Sequence, residues 1–264
     1  MAALNLKHRR GPSFPPVDQA LEEPNGLLAA GGRLSPDWLL AAYSAGVFPW
    51  FNDDAEPILW WSPDPRGVLR PAGLRISRSL VKRLRNAGFR VSFDRAFSEV
   101  IRGCAAARTT RSGGAGGTWI TARMMAAYEA LHEEGFVHSV EVWRNADSTS
   151  PVLVGGLYGV SLGRLFFGES MFSRERDASK IALCYLARQL HDWEFPLIDC
   201  QLSNPHLLTL GLEEMDRRTF MRFVEDNPLQ ETRRGKWTLE LDRADDWTRS
   251  GSDPVLRPPD PAQA

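Results

Sequence analysis

The sequence predicts an α/β fold made of a small mixed N-terminal domain and a larger sheet-and-helix domain. Three observations lead there. After residue 118 the hydrophobic period switches repeatedly between helical and strand spacing. The segment PLIDC at 196–200 is short and almost wholly apolar, as a strand covered on both faces is. A glycine-rich stretch, TTRSGGAGG at 109–117, separates this region from a basic, proline-punctuated one before it. The divisions read from the chain are 1–115, which carries a basic helix, 116–228, and a polar, proline-bearing tail at 229–264 that is expected to be loosely held.

Each element follows from local chemistry. The first 25 residues are proline-bearing and aperiodic, and read as an extended arm. SPDWLLAAYSAG opens with Ser35 at an N-cap and Pro36 at the first helical position, and stops at Gly46. ISRSLVKRLRNAGF at 76–89 is a helix with Leu80, Val81 and Leu84 inward and Arg78, Lys82, Arg83 and Arg85 outward. VSFDRAFSEVIRGCAAA is a strand followed by a second basic helix, and 109–117 is a loop-like insertion. TARMMAAYEALHEEG is an amphipathic helix ending at Gly135, and HSVEVWR alternates as a strand. The segment 151–170 reads as two strands turning near 161–163, the second ending at Gly168. DASKIALCYLARQLHDW is a helix with Ile181, Cys184, Leu186 and Ala187 buried, and 196–200 is the strand that follows. Strand, strand, helix, strand is the core order of an acetyltransferase-like (GNAT) fold.

Bulk properties exclude several classes. The longest apolar run, 152–163, ends at Arg164 after 12 residues, too short for a membrane span, and MAALNLKHRR lacks the apolar core of a secretory signal. The odd number of cysteines, 3 and widely spaced, argues against a disulfide framework and for a cytoplasmic protein. Net charge is −1, yet residues 66–111 hold 12 Lys and Arg against two acidic residues, a local +10 that fits either a polyanion or a solvated arginine-rich face. No Lys-Ser/Thr pair follows the glycines of 109–117, HEEGFVH lacks zincin spacing, GESMF is no nucleophile elbow, and there is no Cys-x-x-Cys. Neither a metal nor a cofactor is expected. Alternation puts Cys200 opposite Asp199 and Gln201, which favours a structural thiol over a nucleophile working with His206.

What remains is a carboxylate and an amide, Asp199 and Gln201, in an apolar strand, with Glu169 near the end of its expected neighbour. The residue types leave two readings: a reaction cleft, or a capping or ion-pair role for Asp199 with an arginine such as Arg174.

The motifs EPNGLLAAGG (23–32), GVFPWF (46–51), ILWWSPDPRGVL (58–69), GTWIT (117–121), HSVEVW (138–143), LVGGLYGVSLGRLFFGESMFSR (153–174), ASKIAL (178–183) and LIDCQ (197–201) occur together and in order. This set closely resembles the bacterial leucyl/phenylalanyl-tRNA–protein transferases over about residues 14–225. The resemblance implies transfer of Leu or Phe, and Met more weakly, from aminoacyl-tRNA to proteins bearing N-terminal Arg or Lys, in the N-degron pathway. It implies a cytoplasmic, monomeric enzyme with no membrane partner and no cofactor, since the donor ester is already activated. Asp199 and Gln201 match the family's catalytic pair, with Glu169 beside them. Asp199 is expected to polarise or orient Gln201, Gln201 to position the attacking amine, and Glu169 with Asp199 to favour a cationic acceptor residue. Trp50 and Trp119 match the tryptophans that hold the terminal adenosine, while Trp60 and Trp61 read as core. Leu157, Phe166, Met171, Leu183, Leu186, Leu190 and Ile198 are expected to form the donor side-chain pocket, and Arg78, Lys82, Arg83 and Arg85 to meet acceptor-stem phosphates. Arg33, Leu157, Leu186 and the insertion at 109–117 depart from the usual family pattern.

Two other readings share parts of this pattern. An acetyl-CoA-dependent N-acetyltransferase would need a glycine-rich pyrophosphate turn where GESMFSRERDASK stands, and a non-catalytic RNA-binding module would leave Glu169, Asp199 and Gln201 unexplained.

Overall fold

The computed structural model describes residues 4–6, 11–86, 88–111, 119–145, 149–227 and 230–240. Its elements are β1 (Leu4–Asn5), β2 (Leu27–Ala30), α1 (Pro36–Ser44), β3 (Phe48–Pro49), β4 (Leu59–Trp61), β5 (Arg66–Leu69), α2 (Arg78–Asn86), β6 (Arg90–Phe93), α3 (Phe97–Arg111), α4 (Ala122–Glu133), β7 (Val137–Arg144), β8 (Val152–Leu162), β9 (Leu165–Ser173), α5 (Ala178–Asp192), β10 (Leu197–Gln201), α6 (Pro205–Leu208), β11 (Glu213–Met215) and α7 (Arg217–Asp226). A small sheet runs β1-β2-β4-β3, and a seven-stranded sheet runs β11-β5-β10-β9-β8-β7-β6. In the larger sheet β9 and β10 are parallel, because α5 crosses over between them, and the other neighbours are antiparallel.

Alternation along the central strands builds a separate core on each face. Tyr158, Phe167 and Leu197 enter the core that holds Trp38, Tyr43, Phe97, Ile101 and Tyr128 from α1, α3 and α4. Leu157, Phe166 and Ile198 enter the other, with Leu80 of α2 and Ile181, Leu183 and Leu186 of α5. Both faces are covered, as the apolar run at 196–200 predicts.

Three expectations change. The division at 115/116 cuts through the large sheet, because β5 and β6 pair with β10 and β7 respectively. Leu80 and Phe89 from the N-terminal segment pack into the core shared with α5, so the chain is tied together across that point. The second strand of the hairpin continues past Gly168 to Ser173, because β8 stays paired with it that far. The tail is not loosely held where it is described. Trp237 is buried, its ring stacks on His138 at 3.7 Å, and its N–H donates to Asp94 Oδ2 at 2.6 Å. Most of the insertion and the tail beyond residue 240 lie outside the described residues, although α3 extends through Arg111. The N-terminal arm is anchored by Phe14, which packs edge-on against Trp38 and Trp60. No helix among the described residues is long and apolar enough to cross a membrane.

Candidate active site

β9 and β10 pair only from Leu165 to Phe167 and from Leu197 to Asp199, then part. A cavity of about 760 Å³ occupies the opening. Glu169 is brought there by an irregularity in β9, where the register against β8 shifts between Tyr158 and Gly159. Gln201 is brought there by a second shift, between Asp199 and Gln201 in the pairing with β5. Gln201 has φ of +65°, a left-handed conformation uncommon outside glycine. The simple alternation expected of this strand therefore breaks at Gln201.

The two side chains meet across the gap: Gln201 Nε2 donates to Glu169 Oε1 at 2.8 Å. Tyr43 of α1 donates to the same oxygen at 2.8 Å, and Tyr128 of α4 donates to Oε2 at 2.8 Å. The two tyrosine hydroxyls also contact each other. Burial raises the Glu169 carboxyl to about 7, with the nearby Asp199 adding to the rise and the three donors opposing it. Burial also pushes both tyrosines well above their ordinary value, so they remain donors. Sequence reading gives neither tyrosine a role in the site; only the packing of α1 against α4 turns their hydroxyls onto one carboxylate.

Asp199 is 1% exposed and does not line the cavity. Arg66 Nε donates to its Oδ1 at 2.8 Å and Nη2 to its Oδ2 at 2.7 Å. The ion-pair alternative thus holds in kind, with Arg66 in place of Arg174. Arg174 instead donates to the Leu153 carbonyl. Asp199 reaches Gln201 through the backbone, accepting the Gln201 N–H at 2.9 Å. Its carboxylate is therefore paired with Arg66, away from the cavity lining. Cys200 lines the cavity, but burial pushes its thiol pKa up, with Asp199 adding to the rise, and no nucleophile is formed there.

Below the polar pair the cavity is lined by Leu157, Phe166, Met171, Leu183, Leu186 and Ile198. Leu190 is fully buried one turn beyond Leu186 and lies outside the lining. Trp50 and Trp119 both border the cavity, and Trp50 is 38% exposed. Trp60 is core, but Trp61 braces Trp50: the rings lie 5.6 Å apart and Trp61 Nε1 donates to the Trp50 carbonyl.

The basic helix α2 presents Arg78, Lys82 and Arg85 on its exposed side. Arg83 turns inward, donating to the Arg176 carbonyl and lying over the Phe89 ring. A smaller cavity of about 310 Å³ is lined by Lys82, Arg83, Arg176 and Asp177, and Asp177 also lines the large cavity. The basic surface therefore adjoins the mouth of the cleft. Among the described residues no group of His, Cys, Asp and Glu is placed to hold a metal ion.

Fold and site together define an α/β protein with an apolar-lined cleft that holds an amide–carboxylate pair and is bordered by two tryptophans. Residues 68–225 match the family described as leucyl/phenylalanyl-tRNA protein transferase, and residues 32–64 match the N-terminal domain of that family. The leucyl/phenylalanyl-tRNA–protein transferase of Azoarcus sp. is 56% identical over 89% of this chain and 96% of its own. That of Chromohalobacter salexigens is 58% identical over 81% of this chain and 79% of its own. The chain belongs to the leucyl/phenylalanyl-tRNA–protein transferase family and is an aminoacyltransferase.

Proposed function

We propose that the protein moves Leu or Phe, and Met more weakly, from aminoacyl-tRNA to the N-terminal Arg or Lys of acceptor proteins, forming a peptide bond. The observation that carries this is the Gln201–Glu169 bridge, set at the junction of an apolar pocket and two bordering tryptophans. The donor amino acid would enter the pocket, and its terminal adenosine would stack on Trp50 and Trp119, worth on the order of 1–3 kcal/mol per base. The ester is then held where the amine approaches Gln201 and Glu169. Ionised Glu169 accepts a hydrogen bond from the neutral α-amine and keeps it oriented. The amine nitrogen bonds to the ester carbonyl carbon, the acyl C–O bond breaks, and the proton the nitrogen gives up ends on the 3′ oxygen of the tRNA, which leaves as the hydroxyl. Asp199 acts through the Gln201 backbone. A carboxylate at the cleft also favours a cationic acceptor.

The sheet supports an acetyltransferase-like reading, with the parted β9 and β10 taking an aminoacyl ester where an acetyl thioester would otherwise sit. Arg78, Lys82 and Arg85 are suited to phosphates of the acceptor stem, which supply affinity with little sequence information. The reading is completed by a monomeric enzyme that acts in the cytoplasm, in N-degron degradation.

The test is transfer of labelled Leu and Phe from charged tRNA to a peptide beginning with Arg, with an Ala-initial peptide as control. Wild type is expected to label only the Arg peptide, and Gln201→Ala to lose on the order of 100-fold in kcat. Absence of transfer by a folded wild type, or acetyl transfer from acetyl-CoA instead, would overturn the reading.

A further inference from the structure

Arg66 is fully buried, and its guanidinium is the point where the elements carrying the site meet. Two of its nitrogens hold both oxygens of Asp199, and the third, Nη1, donates to the Gly46 carbonyl at 3.3 Å. Its Cζ lies over the ring of Phe48 at 4.9 Å and over that of Phe220 at 4.6 Å. Gly46 follows α1, which carries Tyr43 of the Glu169 network, and Phe48 lies two residues before Trp50. Asp199 in turn holds the N–H of Gln201. One planar cation thus links the amide strand, the tyrosine helix and the tryptophan loop.

A buried ion pair is weak grounds for stability, since an apolar pair of similar size often does as well. What it supplies here is geometry. Gln201 sits at φ of +65°, where a side chain is held only if its surroundings dictate it. Beside its pairing with β5 and its bond to Glu169, the constraint on its backbone N–H is the Asp199 acceptor, and the bidentate fork fixes the carboxylate plane that provides it.

We infer that Arg66 is a positioning residue for the transfer reaction, holding Gln201 in its left-handed conformation and in register with Glu169. It touches neither substrate. The inference rests on the transferase reading above. Its signature is a loss in kcat with little change in donor KM, because the pocket on the α5 face does not contain it.

The experiment compares wild type, Arg66→Lys, and Arg66→Ala with and without added guanidinium, measuring transfer from Leu-tRNA to the Arg peptide, circular dichroism and melting. Lysine keeps the charge against Asp199 but gives up the fork. Arg66→Lys is expected to fold, to keep donor KM within about threefold, and to lose on the order of 100-fold in kcat. Guanidinium is expected to restore part of the Arg66→Ala activity, and urea, planar but uncharged, to restore none. A Lys variant with wild-type kcat, a kcat loss that only follows the unfolded fraction, or equal rescue by urea would overturn the inference while leaving the transferase reading intact. If neither variant folds, Arg66 is a structural residue and the inference falls. A wild type that transfers nothing removes both.

Discussion

Glu169 is the residue on which pH dependence turns. Its carboxyl sits at about 7 because burial disfavours the charge more than three donors favour it. If the ionised form orients the amine, transfer rises as pH climbs through about 7, and that limb disappears in Glu169→Gln. Tyr128→Phe removes one donor from the ionised form, so the limb should move to higher pH; a profile unchanged by this substitution would disconnect Tyr128 from the titration. Stability carries the opposite sign. A carboxyl whose folded value is raised from 4.5 to about 7 stabilises the fold fully below 4.5, and loses that contribution as pH rises through 7. Glu169→Gln should therefore gain on wild type with rising pH, by at most about 3 kcal/mol, read from melting at either end of that window.

At the scale of the element, the segment 230–240 acts as a strap over α5. Trp237 stacks on His138, Glu240 accepts from Trp193 Nε1 at 2.9 Å, and the Glu240 N–H donates to Gln189 Oε1 at 2.9 Å. The same helix supplies Leu183 and Leu186 to the lining of the large cavity. Trp237→Ala should cost about 3–5 kcal/mol, as removal of a buried indole does, measured by denaturant unfolding. Burial lowers the His138 pKa, while its hydrogen bond to Asp94 opposes the shift. A base with a depressed folded pKa gives stability that is present above its ordinary 6.5 and lost as pH falls below it. His138→Gln, which keeps a donor for Asp94, should flatten that slope. In β8, a Cβ at Gly159 would lie 2.3 Å from the Phe167 carbonyl and 2.5 Å from the Phe166 ring. Gly159→Ala should therefore push a pocket wall, lowering both melting temperature and Phe transfer; unchanged values for both would show that the sheet yields there.

For the whole molecule, the arrangement of charge matters more than its sum. The basic helix adjoins the cleft mouth through Asp177, which lines both cavities, although the net charge is only −1. Arg78→Ala and Lys82→Ala should raise the donor KM for charged tRNA and leave kcat alone. Each should lower the dependence of log KM on log salt by about 0.7–0.9. An aminoacyl-adenosine donor, which has no acceptor stem, should show no such effect; equal effects on both donors would place these side chains away from the tRNA.

Composition, period and motif order by themselves determined the α/β class, the order of the helices and strands, the family, and most of the cleft. Glu169, Asp199 and Gln201 stand out as polar groups in apolar strands, whereas Trp50, Trp119 and the pocket residues from Leu157 to Ile198 were implied only by the resemblance that the local motifs carry. The tertiary structure decided what depends on distant segments meeting. Strands β5 and β6 join the sheet from before residue 115, Trp237 returns to cover His138, and Leu190, one turn along α5 from Leu186, lies beyond the end of the lining. Two tyrosines from separate helices converge on Glu169. Strict alternation predicts that Asp199 faces the cleft beside Gln201, yet a register shift sends the amide into the cavity and leaves the carboxylate to Arg66, 133 residues away. A buried charge must find a partner wherever the fold provides one, and no local pattern says which arginine that is.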